Sequence, residues 1–181
     1  MKITETKLKG VMLVEFDALS DDHRGVEREI YNQEMFRNAG VDVDFVAEDI
    51  SVSPKGVLRG IHGDGKTWKL VSCLLGSYHL VVVNWEEGSP QKGQWESFTI
   101  SDQNRHQVLI PPNFGNGFVI MSENVVFHYK QSAYFNREGQ FTLRWNDPAL
   151  KIKWPVEPTI VSLRDELADL ITEPVSGGRA N

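Results

Sequence analysis

The run Gly56-Val57-Leu58-Arg59-Gly60-Ile61-His62-Gly63-Asp64-Gly65-Lys66-Thr67-Trp68-Lys69-Leu70 decides the fold, read with Pro111-Pro112-Asn113-Phe114-Gly115-Asn116-Gly117-Phe118. Its apolar residues are strand-like, its glycines are turn-like, and between them stand Arg59, His62 and Lys69. A β-fold carries such residues to the mouth of one pocket, which is the expected active site. Side chains alternate along a strand, so Arg59 and Ile61 face one way and Gly60 and His62 the other, unless the glycines twist the chain.

Outward from this run the pattern stays β. Val11 to Val14, Lys69 to Leu75, Tyr78 to Asn84, Gln94 to Ile100, His106 to Ile110, Gly117 to Met121, Val125 to Tyr134 and Gln140 to Trp145 are short runs rich in β-branched and aromatic residues. Turn signals such as Leu75-Gly76-Ser77 separate them, a spacing that indicates a sandwich or barrel. Asn32 is placed to cap a short helix through Arg37, stopped by Gly40. Ser162-Leu163-Arg164-Asp165 has capping-box spacing and opens a second short helix toward Ile171. The reading is one mainly β domain over residues 1–172, with 173–181 as a flexible tail.

The chain has 181 residues and a formal net charge of -6. No basic stripe offsets that charge, which argues against nonspecific nucleic-acid binding. The single cysteine, Cys73, lies in an apolar run and reads as a buried small hydrophobe. Met1 to Glu5 lacks an apolar signal core, and no apolar span is long enough for a bilayer, so a soluble cytoplasmic protein with no membrane partner is expected.

The chemistry is narrowed first by what is missing. His62 has only Asp64 nearby as a second ligand type, and His23, His79, His106 and His128 are scattered, so no metal is expected. No glycine-rich loop leads into a helix and no serine elbow is present, leaving dinucleotide, P-loop and acyl-transfer chemistry without support. Acid and base chemistry without a cofactor remains. Taken singly, His62 reads as a histidine without a role, Tyr129 as a packed strand residue and Lys69 as a surface lysine.

Taken together, these residues carry a resemblance. Lys55 to His62, Lys69-Leu70-Val71, Ile110-Pro111-Pro112, Phe114-Gly115, Tyr129-Lys130, Trp145-Asn146-Asp147-Pro148, Trp154-Pro155 and Ser162 to Asp165 occur in one order. In that order they resemble the dTDP-4-dehydrorhamnose 3,5-epimerase family. The resemblance implies a cupin jelly roll, a homodimer whose N-terminal strand crosses to the partner, no metal, and a nucleotide-linked 4-keto-6-deoxy sugar as substrate. It makes His62 the base, Asp165 its orienting partner, Tyr129 the acid on the opposite face and Lys69 the cation at the enolate oxygen. Arg24 and Arg59 match positions that hold phosphates, and Glu29, Asp49, Asn116, Tyr134 and Trp145 fall at substrate-binding positions. Asp165 also reads as a plain cap partner of Ser162.

Several positions depart from the family pattern. Ala47-Glu48-Asp49 stands where the family has Gln-Asp-Asn, Val26 interrupts an aromatic run, Asn116 replaces a histidine, and Phe135 follows Tyr134 in place of a second tyrosine. Gly63-Asp64 and Phe114 to Gly117 are similar to a branch acting on GDP-linked 4-keto-6-deoxy-heptoses. The other readings are a 3,4-ketoisomerase, which carries a further histidine where Asp64 stands, and a cupin that binds a sugar nucleotide without catalysis.

Overall fold

Short β-branched and aromatic runs between glycine turns form strands because their side chains pack well on a pleated surface. The computed structural model describes residues 1–180. Its strands are β1 (Lys2–Glu5), β2 (Met12–Glu15), β3 (Ala18–Asp22), β4 (Gly25–Arg28), β5 (Ala47–Pro54), β6 (Val57–Asp64), β7 (Lys69–Leu75), β8 (Ser77–Asn84), β9 (Trp95–Ser101), β10 (His106–Ile110), β11 (Phe114–Ile120), β12 (Asn124–Gln131), β13 (Gln140–Thr142) and β14 (Ile160–Val161). Helix α1 (Gln33–Asn38) follows β4, and α2 (Leu163–Glu166) follows β14.

One sheet runs β1-β2-β10-β7-β12-β5 and the other β13-β6-β11-β8-β9, with β14 parallel to β6 and the β3–β4 hairpin apart. The result is a mainly antiparallel jelly-roll barrel, within the sandwich-or-barrel class that the spacing indicates and as the family resemblance implies. Val71, Val108, Ile110 and Phe127 of the first sheet meet Tyr78, Leu80, Phe118 and Ile120 of the second in one core. Phe118 and Phe127 stack across it with ring centroids 4.1 Å apart. This contact closes the barrel directly beneath the site.

Both sheets are also covered outside. Phe36 of α1 and Val41 pack on Val14, Leu70 and Leu109, while Leu143, Leu150 and Trp154 pack on Ile61, Val81 and Val83. That double coverage explains why Leu80 to Val83 is a continuous apolar run rather than an alternating one. Asn32 caps α1 by accepting from the Met35 N–H at 3.1 Å, as its sequence position predicts.

The differences from the sequence reading have local causes. Strand β5, not anticipated, is an edge strand whose apolar residues Ile50 and Val52 are exposed while the polar Ser53 is buried, so its short alternation runs opposite to that of a core strand. Val43 and Phe45, just before it, pack as coil on the outer cluster. Strand β12 stops at Gln131 rather than Tyr134, and β13 at Thr142 rather than Trp145. Helix α2 is one turn, ending at Glu166 rather than Ile171. The segment read as a flexible tail is held down: the Trp95 N–H donates to the Gly178 carbonyl at 3.0 Å, the Ala180 N–H donates to the Trp95 carbonyl at 2.8 Å, and Ala180 is buried in the core. Residue 181 lies outside the described residues. Among those described, no helix is long and apolar enough to cross a membrane.

Candidate active site

The glycines of β6 bend the strand as the sequence allowed. Asn116 pairs with His62 and Phe118 with Arg59, so three steps along β6 match two along β11. The extra residue is a β-bulge that cancels the alternation. Arg59 and His62 therefore open on the same cavity, while Ile61 turns outward into the cluster with Val81 and Leu143. Gly60 has φ +117°, and a Cβ there would lie 2.4 Å from the Gly117 Cα, so both strands need glycine at the crossing.

His62 is met from behind by α2. Its Nε2 lies 2.5 Å from Asp165 Oδ1. A carboxylate only accepts, so the ring proton sits on Nε2 and Nδ1 carries the free lone pair. The Gly60 N–H donates to the other oxygen, Oδ2, at 3.2 Å. Burial works against the Asp165 charge, but His62, the Gly60 N–H and Ser162 outweigh it and hold the carboxyl below its ordinary range. The two readings of Asp165 are compatible, because Ser162 Oγ caps α2 by accepting from the Asp165 main-chain N–H at 3.2 Å. Its side chain is left free for the imidazole.

The cavity in front of His62 has a volume of about 300 Å³ and is floored by Val71, Phe118 and Phe127. Lys69, buried on β7, donates from Nζ to the His62 carbonyl at 3.3 Å and to Asn116 Oδ1 at 3.2 Å. Burial pulls its pKa down, opposed in part by Asp64. Tyr129 enters from β12, on the sheet opposite His62, and burial and the Asp49 carboxylate raise its pKa. Two arginines complete the wall. Arg59 donates from Nη2 to Ser53 Oγ at 3.1 Å, and Arg164 from Nη2 to Thr142 Oγ1 at 2.8 Å and from Nη1 to Gln140 Oε1 at 3.2 Å. Their hydrogen bonds go to neutral groups, so their charge remains available to an anion.

Of the residues singled out in the sequence, His62, Lys69, Arg59, Asn116 and Tyr129 line this cavity, with Asp165 behind it and Asp49 at its rim. Four are elsewhere within the chain. Arg24 is exposed at the β3–β4 turn, paired with Asp22 at 2.6 Å, and Glu29 accepts from Asn32 Nδ2 at 3.1 Å. Tyr134 is 79% exposed past the end of β12, where Phe135 lines the cavity in its place. Trp145 is away from the cavity, its carbonyl accepting from Trp154 Nε1 at 2.9 Å. The sequence reading missed Gln131, Gln140 and Arg164. Gln131 stands two residues beyond Tyr129 and Arg164 is next to Asp165, so both had a positional signal; Gln140 had none.

Among the described residues no three His, Cys, Asp or Glu side chains are grouped as metal ligands. The arrangement can take a proton beside a carbonyl, hold the resulting oxyanion and return a proton from the other side. A jelly roll with this site belongs with the carbohydrate isomerases. The family model of dTDP-4-dehydrorhamnose 3,5-epimerase matches residues 5–173. The chain belongs to that family. It is 41% identical over 160 residues to the dTDP-4-dehydrorhamnose 3,5-epimerase of Pseudomonas aeruginosa, covering 87% of this chain and 88% of the relative. The dTDP-6-deoxy-D-glucose-3,5-epimerase of Legionella pneumophila, solved with dTDP-4-keto-L-rhamnose, superposes with TM-score 0.88 at 34% identity over 93% of this chain and 92% of its own. A 3'-monoepimerase from Streptomyces bikiniensis, solved with dTDP-quinovose, does so with TM-score 0.84 at 30% identity over 89% and 83%.

Proposed function

We propose that this chain inverts C3, C5 or both in a dTDP-linked 4-keto-6-deoxy sugar, without a cofactor, in deoxysugar biosynthesis. The observation that carries the proposal is the placement of His62 and Tyr129 on opposite sheets across one cavity. A proton at C3 or C5 is α to the 4-keto group. His62 Nδ1 removes it, Asp165 stabilises the imidazolium, and Lys69 donates to the enolate oxygen. Tyr129 then protonates the carbon from the other face, which inverts it. Arg59 and Arg164 hold the diphosphate with forked hydrogen bonds. The dTDP ligands of the relatives favour thymidine over the guanine-linked alternative, and their names include both double and single epimerases.

The proposal includes a homodimer, on a surface other than the expected crossing strand, because β1 and β2 pair with each other and with β10 of their own chain. The β3–β4 hairpin exposes Leu19 and Val26, and the edge strand β5 exposes Ile50 and Val52. Arg24 stands on that hairpin, outside its own cavity and paired with Asp22, and in the dimer it would turn to the partner's cavity, as its match to a phosphate-holding position implies. A second copy would cover the apolar groups and complete the anion site.

Incubation with dTDP-4-keto-6-deoxy-glucose in deuterated water tests the reaction. Deuterium should enter C3, C5 or both, and reduction of the product should yield inverted sugars. A product with its carbonyl moved to C3 would make the chain a ketoisomerase, and binding without exchange would make it a noncatalytic cupin. GDP-linked substrate as the better substrate would reverse the nucleotide assignment.

A further inference from the structure

Tyr129 and Asp49 are directly opposed across the β12–β5 pair, the phenol in the cavity and the carboxylate on the exposed edge strand. Gln131, 4% exposed and lining the same cavity, donates from Nε2 to Asp49 Oδ2 at 2.9 Å and fixes the carboxylate beside the phenol. The other charged groups turned toward Tyr129 are Arg59 and His62 from β6, Lys69 from β7 and Arg164 from α2. Glu48, His128 and Lys130 form their own network on the opposite face of β5 and β12. Asp49 thus places one carboxylate at the solvent end of an otherwise cationic cavity.

An acid that gives its proton to carbon must regain one before the next turnover. Tyr129 is partly buried, and a sugar filling the cavity separates it from bulk water. We propose that Asp49 returns the proton: its carboxylate takes a proton from solvent and passes it to the Tyr129 phenolate. The tyrosine O–H forms as the Asp49 O–H breaks, leaving the carboxylate as it began. His62 releases the proton it abstracted to solvent, so no net proton is consumed. The adjacent carboxylate also keeps the resting phenol protonated, in line with its raised pKa. Asp49 is therefore a proton-relay residue acting through Tyr129 and not a contact to the nucleotide.

The proposal rests on Tyr129 being the acid, and pre-steady-state kinetics separates the two. In Asp49→Asn the first inversion should proceed at nearly the parent rate, because Tyr129 starts protonated. Later turnovers should slow by about tenfold or more, giving a burst of one inverted sugar per site. Formate should speed only the slow phase, and Asp49→Glu should restore most of the steady rate. Burst and steady rates that fall together, or a steady rate that does not change, would overturn the relay. A parent chain that inverts nothing would instead overturn the epimerase assignment, and the relay with it. Thermal melting of each variant identifies a loss due to misfolding, and an Asp49→Glu chain that folds but stays slow also counts against the relay.

Discussion

Asp165 Oδ1 lies 2.5 Å from His62 Nε2 while the Asp165 N–H is held by Ser162 Oγ at 3.2 Å, so a single residue completes the cap of α2 and orients a ring on β6. Its two halves can be cut separately. Asp165→Asn should lower deuterium exchange by about 10³- to 10⁴-fold, because an amide can donate to Nε2 and turn the free lone pair away from the cavity. Ser162→Ala should lose about 1 kcal/mol of stability with exchange largely kept. Equal exchange in the parent and Asp165→Asn would remove Asp165 from the mechanism.

His62→Asn and Tyr129→Phe should differ in kind. The first removes the base, so exchange at every carbon disappears. The second leaves His62 able to take a proton and return it to the same face. Deuterium then washes in while inversion is lost, at a stability change of roughly 0.5–1.5 kcal/mol for one hydroxyl. Inversion keeping pace with exchange in Tyr129→Phe would assign the acid elsewhere.

Lys69→Met should make the protein more stable and inactive. A buried ammonium is held at the expense of its solvation, and methionine fills a similar volume without charge. A melting temperature higher by about 2–4 °C corresponds to about 1 kcal/mol in a chain of this size. A lower melting temperature would mean that the bonds to His62 and Asn116 outweigh the burial.

The acid limb of stability should depend on Asp165. Its folded pKa is depressed, so its contribution is complete above the unfolded value of about 3.9 and is lost as pH falls through the folded value. Asp165→Asn should abolish that part of the pH dependence. Melting curves from about pH 5 down to about pH 2, which run from above the unfolded value into the range below it where the folded carboxyl is protonated, provide the comparison.

Val26→Asp and Arg24→Ala should separate assembly from binding. The first places a charge in the exposed hairpin patch and should shift sedimentation from dimer toward monomer. The second should raise KM while leaving the dimer intact. A parent chain that sediments as a monomer at micromolar concentration would overturn the dimer.

Much of the barrel was legible because the strands of the two central layers carry their own hydrophobic signal. Lys69 to Leu75 and His106 to Ile110 have the bounds their sequences imply. Strand β5 was not legible, since its alternation spans only Ile50 to Ser53 after the charged pair Glu48-Asp49 and its apolar residues are the exposed ones. The position of the C-terminal segment was hidden for another reason: its anchoring is through main-chain hydrogen bonds to Trp95 and Leu150, which composition does not report. In the site, residue types were readable and their facing was not. Strand alternation alone would put Arg59 and His62 on opposite sides, and only the pairing with β11 brings them together.

The bulge in β6 means that the cavity depends on the number of residues between Arg59 and His62 as much as on their identity. Inserting one residue there, with no second bulge to absorb it, would keep every chemical group in the chain and still rotate the imidazole into the cluster now occupied by Ile61. A distant relative can therefore preserve the arginine and the histidine, align well by composition, and lack the reaction because of a single extra step along the backbone.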